Sequence, residues 1–91
     1  DTTYVIRKSF NNYVGSLKNK NTNIQIDFFS NLPGLQVYTA QNLKFKKKLY
    51  PYQGICLETQ YYPDTPNKKK FPSTLIKPNK LYKCYTKIKI N

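Results

Sequence analysis

In several short stretches of the chain, apolar side chains alternate with polar ones, which is the spacing of half-buried strands. The cleanest run is 24–29, where Ile24, Ile26 and Phe28 alternate with Gln25, Asp27 and Phe29. Residues 4–8, 13–17 and 35–39 read as further strands. In the last of these, Leu35, Val37 and Thr39 face one way and Gln36 and Tyr38 the other. The stretch 55–61 places Ile55, Leu57 and Thr59 on one face and Cys56, Glu58 and Gln60 on the opposite one. Residues 82–90 close the chain as a strand, with lysines at alternating positions that would guard a sheet edge. Asn31-Leu32-Pro33-Gly34 and the asparagine-rich 19–23 are turn signals. Four of the six prolines fall in 63–80, which predicts an extended, irregular loop, because proline fixes φ and lacks a ladder donor. No helix-period segment exceeds two turns, and nothing repeats.

Composition supports an all-β fold. The apolar mass comes largely from nine tyrosines and five phenylalanines, and alanine, the best helix former, occurs only at Ala40. Ninety-one residues make one small domain at most, with a thin core. The chain starts at Asp1 with no methionine and nothing like a signal sequence, so it reads as a piece of something longer. Histidine is absent, which excludes His-dependent metal sites and Ser-His or Cys-His nucleophilic catalysis within these residues. No apolar run approaches the roughly 20 residues that span a bilayer.

The formal charge is +12, from sixteen basic residues against four acids. Lysines on this scale can attract polyanions. Yet arginine, the residue suited to bidentate phosphate and base contacts, occurs once, as Arg7. A solvated lysine surface is the better reading, with no nucleic-acid or membrane partner. Two cysteines, Cys56 and Cys84, do not make a disulfide framework and are expected to be reduced thiols in the cytoplasm.

Glu58 is the only glutamate, set mid-strand between Ile55 and Leu57 on one side and Tyr61 and Tyr62 on the other. Glutamate is depleted in strands. By periodicity alone it is a solvent-facing residue; the alternative is a general base on the floor of a cleft with Gln60 beside it. Composition and spacing leave both open.

The run Gly54-Ile55-Cys56-Leu57-Glu58-Thr59-Gln60-Tyr61-Tyr62-Pro63-Asp64-Thr65-Pro66-Asn67, continued by Phe71-Pro72-Ser73-Thr74-Leu75-Ile76 and Pro78, resembles the C-terminal signature of the aldose 1-epimerases. Upstream, Leu32-Pro33-Gly34-Leu35-Gln36-Val37-Tyr38-Thr39 resembles that family's Pro-Gly-x-Gln-x-Tyr-Thr strand, and Asp1 and Tyr4 fit the ends of its Asp-His-Asn-Tyr/Phe motif. The resemblance covers nearly the whole chain. It implies the C-terminal strands of a mutarotase-like antiparallel β-sandwich, with residues 1–91 as the end of a single domain and the upstream part elsewhere. It implies Glu58 as the catalytic base, and Gln36 and Asp1 as sugar ligands. The family's general-acid histidine would lie upstream. The motif positions Asp-His-Asn here read Asp1-Thr2-Thr3, and Ala40 stands where a glycine is usual.

The activity implied by the resemblance is that of a cofactor-free isomerase, an aldose 1-epimerase that interconverts the α and β anomers of hexoses such as galactose and glucose. Its partners would be a small-molecule sugar and the rest of its own polypeptide. The rival readings are a hexose-6-phosphate 1-epimerase, for which lysines would hold the phosphate, a non-catalytic sugar-binding relative, and a small basic binding module. Tyr38, Tyr61 and Tyr62 could stack on a sugar, although packing is the commoner role for each. Asp64 reads as a turn-maker, and the lysine clusters at 46–48 and 68–70 as solvated loops.

Overall fold

The computed structural model describes residues 2–91, so Asp1 lies outside the described residues. Six strands form two three-stranded antiparallel sheets, and no α-helix occurs among the described residues. The strands are β1 (Thr2–Val5), β2 (Tyr13–Lys18), β3 (Gln25–Ser30), β4 (Gly34–Tyr38), β5 (Cys56–Gln60) and β6 (Thr86–Ile90). One sheet has the order β1-β4-β5 and the other β2-β3-β6. The all-β expectation from alternation and aromatic content holds.

Two boundaries differ from those expected from alternation. The first strand lies at Thr2–Val5, because Thr2 to Val5 pair with Val37 to Gly34. The chain leaves the sheet at Ile6, whose N–H still reaches the carbonyl of Pro33 at 2.9 Å. The last strand starts only at Thr86. Residues before it are held by a side chain instead: Asn31 donates from Nδ2 to the carbonyl of Lys83 at 2.8 Å and accepts from the N–H of Tyr85 at 3.0 Å. An amide side chain here mimics one rung of a ladder, which periodicity cannot reveal.

In the second sheet, Leu17, Ile26, Phe28, Ile88 and Ile90 share one face, and Lys18, Asp27, Phe29, Lys87 and Lys89 the other, as the cross-strand pairs require. On the polar face Lys87 lies 4.2 Å from the centroid of the Phe29 ring. Asp27 accepts hydrogen bonds from Gln25 and Asn91 at 2.8 and 2.7 Å. A hydrogen bond between the Thr59 and Thr86 hydroxyls links the two sheets. Ser30, only 3% exposed, ties β3 down by donating to the carbonyl of Tyr85 and accepting from the N–H of Leu32.

Loops carry left-handed residues. Lys46 and Lys47 (φ 43° and 58°) turn the chain tightly between Phe45 and Leu49. Asp64 (φ 62°) precedes a single 3-10 turn, Thr65–Asn67, the one regular element in the proline-rich loop. The Asp64 carboxylate accepts from Asn67 Nδ2 and pairs with Lys68 at 3.7 Å. Ala40 (φ 57°) sits in the left-handed region, which glycine adopts with less strain than alanine.

The core is small. Phe28 and Ala40 are the buried apolar residues among those described, while Ile88 and Ile90 remain 56% and 72% exposed. The chain exposes 7913 Å², against about 5500 Å² for a compact monomer of this mass. Its radius of gyration is 16.0 Å, against about 12 Å for a compact chain of this length. The surplus surface is of the size that obligate interfaces bury. Alone in solution, the 91 residues should therefore bind an apolar dye and melt without a sharp calorimetric peak. A sharp transition near the usual ~0.7 kcal/mol per residue would contradict this.

Candidate functional site

Strand register decides which side chains meet on the first sheet. Thr3 pairs with Gln36, and Gln36 pairs with Glu58. Residues directly opposite in an antiparallel ladder project from the same face, with Cβ atoms about 4.5–5.5 Å apart. The three therefore make a row across β1, β4 and β5. Two residues further along the same face stand Gly34 and Gln60 on one side, and Tyr38 and Cys56 on the other. The reverse face carries Tyr4, Leu35, Val37, Leu57 and Thr59. The alternation expected for 35–39 and 55–61 is what separates these two faces.

Polar contacts knit the row together. Gln36 Oε1 accepts from Thr3 Oγ1 at 3.0 Å and from Gln60 Nε2 at 3.4 Å. Glu58 is exposed, and its carboxylate has no hydrogen-bond partner among the described residues. Within this chain the face is an open floor and not a cleft, as the solvent-facing alternative for Glu58 has it.

Aromatic rings flank the floor. A Cβ on Gly34 would lie 3.0 Å from the Tyr62 ring and 3.1 Å from the carbonyl oxygen of Gln60. Glycine here is what lets the Tyr62 ring lie on the Gln36 and Gln60 side of the sheet. That ring is backed edge-on by Phe71 at 5.1 Å, and the carbonyl of Tyr62 is capped by the N–H and hydroxyl of buried Thr65. At the opposite end, the Tyr38 hydroxyl accepts from the N–H of Asn42 at 3.3 Å. Tyr61 instead lines, with Tyr62, a separate hollow of about 450 Å³ among the loops that also takes in Arg7, Asn12 and Leu32.

The predicted site residues thus fall as follows. Gln36 and Glu58 stand side by side, Asp1 lies outside the described residues, and Thr3 and Gln60 join the group through Gln36. Sequence alone does not mark Thr3 as a member, because its place depends on pairing 33 residues away. Cys56 and Cys84 are free thiols. Cys84 hydrogen-bonds Tyr82 and pushes that phenol above its ordinary range. Among the described residues, no three His, Cys, Asp or Glu side chains gather where they could hold a metal ion. Nor is any helix long and apolar enough to cross a membrane.

The sequence profile of the aldose 1-epimerases, described as "Aldose 1-epimerase", matches residues 1–89. The chain belongs to the aldose 1-epimerase family. Among curated relatives of this family, the galactose mutarotase of Mus musculus is 35% identical over 72 residues, covering 72% of this chain and 21% of its own length. That of Homo sapiens is 36% identical over 63 residues, 63% of this chain and 18% of its own. That of Bos taurus is 40% identical over the same extent of both. The chain thus spans about a fifth of the length of the curated relatives it matches. No solved structure matches it. The two antiparallel sheets accord with the family's β-sandwich.

Gly34 provides a test of how this face is built. In the full-length polypeptide that carries this segment, Gly34→Ala should lower stability by about 1–3 kcal/mol, because the added methyl overpacks against the Tyr62 ring and a backbone oxygen. Gly15→Ala, with nothing within 4 Å of the new methyl, should be neutral or slightly stabilising. Equal thermal midpoints for the two variants would show that the Tyr62 contact is not tight.

Proposed function

We propose that this segment supplies the base-bearing floor of a mutarotase that interconverts the α and β anomers of hexoses such as galactose and glucose. The observation that carries the reading is the direct cross-strand pairing of Gln36 with Glu58 on one polar face, flanked by Tyr62 and Tyr38. In this reading the Glu58 carboxylate takes the proton from the C1 hydroxyl. A histidine from the remainder of the polypeptide protonates the ring oxygen as the hemiacetal opens. Rotation about C1–C2 and closure from the other side give the second anomer, with no cofactor consumed. Gln36 and Asp1 hold sugar hydroxyls, and the Tyr62 ring borders the sugar.

Residues 1–91 then form the C-terminal part of one domain, and the rest of the polypeptide covers the apolar surface that this segment leaves exposed. That surface, well above what a compact chain shows, supports a requirement for the remainder of the protein. The two free thiols suit a reducing, cytoplasmic setting.

Charge placement favours neutral sugars over phosphorylated ones. The three strands of the site sheet, TTYV, GLQVY and CLETQ, contain no lysine or arginine. The basic residues lie in the loops and in the other sheet. Polarimetry on the full-length protein should therefore show faster anomerisation of galactose and glucose than of glucose 6-phosphate. A preference for the phosphate ester would favour a hexose-6-phosphate epimerase, and binding without turnover a non-catalytic relative.

Glu58→Gln preserves shape and removes the base. It should lower kcat by about 10²–10⁴-fold, the usual worth of a positioned acid or base. A rate equal to wild type would end the assignment.

A further inference from the structure

We infer that Thr3 is a positioning residue that, with Gln60, fixes the amide of Gln36 so that it meets the sugar as a hydrogen-bond donor. This role rests on the mutarotase reading and concerns two side chains which that reading leaves without one. A carbonyl oxygen has two lone pairs. On Gln36 Oε1 both are engaged, one by the Thr3 hydroxyl at 3.0 Å and one by Gln60 Nε2 at 3.4 Å. With the oxygen end of the amide held from two strands, the flip that would exchange Oε1 and Nε2 brings two N–H donors face to face at Gln60. The amide is therefore polarised in one sense, with Nε2 as its donor end.

This matters because of what stands opposite. Ionised Glu58 can only accept hydrogen bonds, and Gln36 Nε2 can only donate. A sugar hydroxyl lying between them can accept from Gln36 at its oxygen while offering its proton to Glu58. With the amide reversed, Gln36 would present a second acceptor, and the same hydroxyl, with one proton, could satisfy only one of the two. Thr3 is the stronger of the two orienting contacts by distance. It also comes from the neighbouring strand β1, where it is half-buried directly opposite Gln36. Its hydroxyl acts on sugar binding through Gln36, with no contact to the reacting atoms.

The test uses the full-length protein and polarimetric rates with galactose. Thr3→Val keeps the shape and removes the hydroxyl. It should raise KM by about 3–10-fold, the effect of one net hydrogen bond, and leave kcat within about twofold. Thr3→Ser should restore wild-type KM. In a Gln36→Leu background, Thr3→Val should have no further effect, because the residue it orients is gone. An unchanged KM in Thr3→Val would overturn the inference, and so would the same penalty in both backgrounds. Should Thr3→Val fail to fold, Gln60→Leu reads the same coupling, with a smaller rise in KM that also vanishes in the Gln36→Leu background. The mutarotase reading fails separately: Glu58→Gln at wild-type rate sinks that reading, whereas an inactive Glu58→Gln with a silent Thr3→Val sinks only the role of Thr3.

Discussion

β4 lies between β1 and β5, and its register against both neighbours governs everything on the polar face. Side chains alternate with a period of two, so a slip of one residue would bury Gln36 and send Leu35 and Val37 to the polar side. Two features oppose such a slip. Leu35, Val37 and Leu57 form a half-buried apolar stripe on the reverse face, which rewards one phase of the alternation. Gly34 admits the Tyr62 ring at a spacing that crowds any larger residue, which favours the observed fit of the start of β4 to the end of β5. The row Thr3, Gln36, Glu58 is a product of that register and has no separate cause.

The two sheets divide the chemistry between them. The site sheet has no basic residue, whereas the second sheet carries Lys18, Lys87 and Lys89 on its outer face, with Lys87 laid over Phe29. This separation leaves the positive charge of the chain largely as a property of loops and of a sheet edge, where lysine discourages unwanted strand pairing. A carboxylate at Glu58 therefore has no cation on its own strand, on β4 paired with it, or on β1 beyond. The same second sheet exposes Ile88 and Ile90 on its inner face. Buried polar groups, by contrast, are satisfied: Ser30 and Thr65 both make side-chain hydrogen bonds to backbone.

Legibility varied with the range of the interaction. The strands at 13–17, 24–29, 35–39 and 55–61 could be read from alternation within a residue or two, because alternation is a local consequence of one half-buried face. Glu58 stood out as the chain's one glutamate, set in a strand, and only the longer resemblance gave it a role. Asp64 was legible as a turn-maker, and its left-handed φ and its bond to Asn67 show why. The start of β1 and the late start of β6 were not legible, since each depends on a partner distant in the chain: β4 for the first, the Asn31 side chain for the second.

From the order of its residues alone, the chain is committed to strands, to a polar and an apolar face on each, and to a family signature carried by a few short segments. Those properties are local, because they follow from side-chain period, turn chemistry and residue type. Only the folded chain decides that Thr3 stands beside Gln36 and Gln36 beside Glu58, that Tyr62 leans over Gly34, and that Asn31 replaces a strand rung. Each of these joins residues far apart in sequence, and their register is set by pairing and packing free energies that no single stretch contains.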